Sequence, residues 1–126
     1  MIRTLLACLL LALPLLGGCG GPGPDEVVKS YMQALATLDI EGMAGLSCPA
    51  VAVTIRESSQ QIDAAREAGM VINVQELAYE LISEGEVEAI VRVTGTVVWA
   101  GAEEDVDEDL TLVLVEDEWK LCEDFR

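Results

Sequence analysis

The spacing of apolar residues changes twice along this chain, and each change marks a new kind of structure. Residues 5–16 form an unbroken apolar run interrupted only by Pro14. After a Gly/Pro stretch the spacing becomes helical. Val27, Val28, Tyr31, Met32, Leu35 and Leu38 recur at three and four residues, which predicts one apolar face on a helix over 25–38. Pro24 suits a first helical turn, and Asp25 and Glu26 complement its free N–H groups and dipole. Asp39 is placed to cap a second, short helix through Ile40, Met43 and Leu46, and Cys48-Pro49 ends it because a residue before proline avoids the helical region. A third helix is predicted from Val51, Ile55, Ser58, Ile62 and Ala65 on one face, with Gly69 as its stop.

From Met70 onward the period falls to two. Leu77, Tyr79 and Leu81 alternate, Gly85 turns the chain, and Val87, Ala89, Val91 and Val93 continue into Val97 and Trp99. Residues 110–115 are apolar on both parities, the pattern of a strand covered on both faces or buried in a dimer. Glu116-Asp117-Glu118 reads as a tight turn into a last strand over 119–125. The acidic run at 103–109 reads as a solvated hairpin tip that also protects sheet edges from aggregation. The fold class is therefore α+β: three N-terminal helices packed on one face of an antiparallel sheet of about four strands.

The apolar run near the start has the form of an export leader, with Arg3 before it and Gly17-Gly18 after it. A membrane span needs roughly 20 apolar residues, and this run is shorter. Leu16-Gly17-Gly18-Cys19 resembles the lipobox of bacterial lipoproteins. That resemblance implies a signal peptide at 1–18, cleavage before Cys19, and a thioether-linked diacylglyceryl (palmitate-type) anchor on Cys19 carrying two or more acyl chains. Residues 19–24 then form a lipidated cysteine with a Gly/Pro tether, and 25–126 form one domain. Extended at roughly 3.3 Å per residue, Gly20 to Pro24 reach less than about 20 Å, which keeps the domain close to the bilayer. The expected location is the extracytoplasmic side of a cell membrane or envelope.

Charge narrows the partners. Loss of the leader removes Arg3 and leaves six basic residues against twenty-three acidic ones, a net charge of −17. Nucleic acid binding is excluded, since it requires a basic patch to release phosphate counterions. Electrostatic adhesion to anionic lipid is disfavoured for the same reason.

The segments DEVVKSYMQALATLDIEGMAGL, EGEVEAIVRVTGTVVW and EDEWKLCEDF resemble the opening helices, long central strands and closing strand of nuclear transport factor 2-like domains, and of bacterial lipoproteins in that superfamily. The resemblance covers nearly all of residues 25–126. It implies a curved sheet wrapped on helices as a cone, whose cavity takes small molecules in some members. Other members dimerise through the open sheet face, and several exported ones only position partners.

The chain contains no histidine, which removes the commonest general base and most zinc sites. Enzymes of the resembled superfamily place aspartate, tyrosine or histidine inside the cone, and no motif here maps onto those positions. No catalytic residue, cofactor or metal site is therefore assigned. Asp105, Asp107, Asp109 and Glu116 have the carboxylate spacing of an EF-hand, but Leu110 stands where that loop needs glycine and a strand follows it. Candidate ligand contacts are Tyr31, Tyr79, Arg92 and Trp99, each with a plainer reading: core rings for the aromatics, a surface ion pair for Arg92. Once Cys8 leaves with the leader and Cys19 is lipidated, Cys48 and Cys122 remain, in a compartment where disulfides persist. A bridge between them is expected, with two buried thiols as the alternative. The leading functional reading is a non-catalytic module binding a small apolar ligand, or a protein partner or second copy through the sheet face. The alternative is a small isomerase- or dehydratase-type enzyme working in the cone cavity.

Overall fold

The structure is a computed structural model that describes residues 21–123. The leader, Cys19 and the last three residues lie outside the described residues. Four helices are followed by four strands: α1 Pro24–Ala36, α2 Ile40–Gly45, α3 Pro49–Glu57, α4 Ser59–Glu67, then β1 Ile72–Glu84, β2 Glu88–Trp99, β3 Ala102–Val115 and β4 Glu118–Leu121. The strands form one antiparallel meander in the order β1-β2-β3-β4. No helix among the described residues is long and apolar enough to cross a membrane.

Helix α1 starts on Pro24 and carries Asp25 and Glu26 in its first turn. It buries Val27, Val28, Tyr31 and Met32 against the sheet and neighbouring helices. Its C-terminus closes with two backbone bonds, Leu38 N–H to the Leu35 carbonyl at 3.0 Å and Asp39 N–H to Ala34 at 2.9 Å. Leu38 itself is left-handed at φ 54°, a position usually taken by glycine. Burial of the Leu38 side chain with Ile72 and Val97 offsets that conformational cost. Asp39 then caps α2, accepting from the Gly42 N–H at 3.0 Å.

The single third helix expected over 51–65 is two helices meeting at Ser58. Thr54 and Ser58 each donate a hydroxyl bond back to the carbonyl four residues earlier, at 3.3 and 3.1 Å. Such bonds compete with the backbone ladder and bend a helix. The Ser58 N–H, meanwhile, is shared between the Thr54 and Ile55 carbonyls. Four of the expected anchors, Val51, Ile55, Ile62 and Ala65, still pack against the core; α4 has no fully buried residue. Gly69 ends α4 at φ 75° as expected.

Strand β1 begins at Ile72, earlier than the alternation at Leu77 indicated, and β3 begins at Ala102 rather than near Leu110. The acidic run is thus not a hairpin tip. It is strand, paired in register with β2 from Glu103 opposite Val98 to Asp109 opposite Arg92. The turn is Ala100-Gly101, both at positive φ (48° and 86°), the geometry that matches the twist of a two-residue hairpin. Glu116-Asp117 makes a second such turn at φ 50° and 65°. The reading of 103–109 failed because six acids in seven residues were taken for a loop: Glu103, Asp105, Asp107 and Asp109 share the open face of β3, while Glu104 and Glu108 lie on the other, opposite Val97 and Val93.

Two features shape the sheet. Gly95, in β2 at φ 129°, lies beside a register shift in β1 between Asn73 and Glu76, and a side chain there would collide with the Glu76 carbonyl. Only glycine permits that approach. At the other margin, Leu46 to Cys48 run along β4, with Leu121 N–H donating to Leu46 and Cys48 N–H to Leu121, both at 2.8 Å. This arrangement brings the sulfur atoms of Cys48 and Cys122 within bonding distance, with Cα atoms 4.9 Å apart.

The core lies between the helices and one face of the sheet. Val28, Met32, Val91, Val93, Leu110, Leu112 and Leu121 are almost wholly excluded from solvent.

Candidate functional site

Helix α1 crosses the sheet without covering all of β1. On the helix side of that strand Leu77 and Tyr79 are half-buried and Leu81 is exposed, whereas their neighbours Val91 and Val93 on β2 are fully buried. The uncovered margin forms an open groove of about 480 Å³. Its floor is Val74, Leu77 and Tyr79 from β1; its rim is Lys29 and Gln33 from α1 and Thr37 just past its end, with Gln75 from β1. The volume falls within the range of small-molecule sites. Burial pushes the Tyr79 phenol up from its ordinary value of 10.0, so its hydroxyl stays protonated and able to donate.

Tyr31 lies elsewhere. It is buried on α1 and, with Leu35, Leu38, Met43, Ile55 and Ile62, lines a smaller apolar recess of about 230 Å³ among the helices. Trp99 stands at the end of β2, six residues beyond the partner of Tyr79, or about 20 Å along the strand. There it packs with Ile72, Val97 and Leu38. Arg92 is on the opposite face of the sheet, its guanidinium bonded to Asp109 at 2.8 and 3.3 Å. That pairing raises Arg92 and holds the Asp109 carboxyl below the usual carboxylate range. The four residues expected to contact a ligand are therefore not gathered in one place. Only Tyr79 lies in the groove.

The residues that sequence reasoning passed over are Lys29, Gln33, Thr37 and Gln75. Their signal was present: Lys29 and Gln33 on α1 and Thr37 at its C-cap are spaced by four, a polar stripe beside the apolar one.

The other sheet face is open. Arg92, Thr94 and Thr96 run along its middle, flanked by Glu76 and Glu80 on β1 and by Asp105, Asp107 and Asp109 on β3. Ile90, Val98, Val113 and Val115 are half-buried, but the threonines and charged pairs between them interrupt the continuous apolar patch expected from residues 97–99 and 110–115. Among the described residues no three His, Cys, Asp or Glu side chains converge to hold a metal ion.

At the chain's entry, Gly21 and Pro22 lie beside the turn over 116–120, together with Val27, Gly45 and Leu46. The β1–β2 turn is at the same end, since Leu114 N–H bonds the Val87 carbonyl at 2.9 Å.

No family model matches the chain, and no curated protein matches it.

Proposed function

We propose that the chain is a lipid-anchored extracytoplasmic protein whose nuclear transport factor 2-like domain binds a ligand or partner beside the membrane without transforming it. The observation that carries this reading is the shortness of the tether. Pro24, the first residue of α1, is already buried, so only residues 20–23 separate the Cys19 thiol from the folded domain. A domain held that closely works where its anchor is.

The groove between α1 and β1 supports binding over catalysis. Among the described residues its lining offers a protonated tyrosine, a lysine, two amides and a hydroxyl, but no carboxylate to serve as a general base. A protein partner meeting the open sheet face would have to be basic to complement Asp105, Asp107 and Asp109, and self-association through that face would set like charges together.

The test is purification of the native tagged lipoprotein from its membrane, with mass spectrometry of co-purifying proteins and small molecules. Reproducible co-purification of one species is expected. Turnover of a substrate by the purified protein, lost in Tyr79→Phe with the fold intact, would put the enzyme alternative in its place.

A further inference from the structure

Cations are scarce in this protein, and among the described residues four of the five are already committed. Arg56 pairs with Glu41, Arg66 with Asp63 and the Leu38 carbonyl, Arg92 with Asp109, and Lys120 with Glu118 and the Gly45 carbonyl. Lys29 alone has no carboxylate or carbonyl partner. In a chain with twenty-three acidic residues that is the exception, and it falls on the rim of the α1–β1 groove.

Lys29 and Gln33 stand one turn apart on α1, with Gln75 across from them on β1. Beneath them Val74, Leu77 and the Tyr79 ring make an apolar floor. A ligand that satisfies both parts has an apolar body the size of a ring system or short chain, and one anionic end. The strongly negative domain repels anions in general, so one lysine in a carboxylate-free lining gives a local site for them without making the whole surface attractive. We infer that the α1–β1 groove binds an amphipathic organic anion, with its carboxylate-like head on Lys29 and its apolar body on Leu77 and Tyr79. Gln33 and Gln75 donate further hydrogen bonds to the head. This rests on the binding-module reading and names its ligand class.

The experiment uses the lipid-anchored chain in phosphatidylcholine nanodiscs, with empty discs as blank. Equilibrium dialysis compares naphthoate with uncharged naphthylmethanol. Saturable naphthoate uptake above the blank is expected, weakened roughly tenfold in Lys29→Gln, restored in Lys29→Arg, and unchanged in Arg92→Gln on the opposite sheet face. Lys29 is exposed on a helix, so its replacement leaves the fold in place. Competition by phosphatidylglycerol added to the discs would assign the natural anion to the bilayer, and indifference to it would assign a soluble one; both uphold the site. Equal affinity for the two probes, or wild-type naphthoate binding in Lys29→Gln, would overturn the anion assignment while leaving a binding groove. Absence of saturable uptake of either probe would also overturn it, and the co-purification result would then judge the binding-module reading independently.

Discussion

The two faces of the sheet are made by the same strands and differ in almost every physical respect. Toward the helices, Val91, Val93, Leu110, Leu112 and Leu121 are sealed from water; one residue away along each strand stand Arg92, Asp109, Thr111 and Lys120. A slip of one residue in any pairing would bury carboxylates and expose the core, so the acidic face fixes register as firmly as the apolar one. The groove lies where this division weakens, at β1, whose helix-side residues are only partly covered.

The largest expected effect comes from the margin where the segment before α3 is tied to the end of β4. Cys48 and Cys122 are separated by 74 residues, and a bridge closing such a loop contributes about 4 kcal/mol in the chain-entropy model. Alkylation of the exported protein without reductant should leave both cysteines unmodified, and Cys48→Ala with Cys122→Ala should lower the denaturation midpoint by a corresponding amount. Two alkylated thiols in the native protein would remove the clamp.

Next comes the contrast between faces at adjacent positions. Leu112→Ala should cost about 3 kcal/mol in urea unfolding, while Thr111→Ala on the open face should stay within about 0.5 kcal/mol. Similar costs at both positions would mean that the open face is covered in the folded protein, as a stable dimer would cover it. Gly95→Ala should cost about 2 kcal/mol, because it places a Cβ against the Glu76 carbonyl at a positive φ. A neutral result there would show that the sheet can relax its bend.

The smallest effect is electrostatic. Asp109 has its carboxyl lowered by Arg92, so the pair's contribution is present above the ordinary carboxylate range and is lost as pH falls through the lowered value. The melting-temperature difference between wild type and Arg92→Gln should therefore shrink on acidification. Both groups are exposed, which keeps the difference small. Tyr79 acts in the opposite direction: its pKa is raised, so its contribution is whole below pH 10.0 and is lost at more alkaline pH.

Much of this architecture was legible. The three-and-four spacing of Val27 to Leu38 found α1, Asp39 and Gly69 marked their helix ends, and the alternation from Ala89 to Val93 gave the buried face of β2. What escaped was decided by neighbours rather than by local pattern. Ser58 broke a helix through hydroxyl bonds that periodicity does not register. Asp105, Asp107 and Asp109 look like loop residues until β2 supplies partners for their backbone. The groove depends on how far α1 covers β1, a tertiary distance absent from any window of sequence; only the polar stripe of Lys29, Gln33 and Thr37 hinted at it.

The central proposal, a binding module held at the membrane by its first mature residue, is tested most directly by intact-mass spectrometry of the protein from the membranes of an exporting bacterial host. The expected mass is that of residues 19–126 plus a diacylglyceryl group and a further acyl chain where the host adds one, with Cys19→Ser carrying no lipid. A membrane-extracted protein with an unmodified Cys19, or one cleaved at another position, would contradict it.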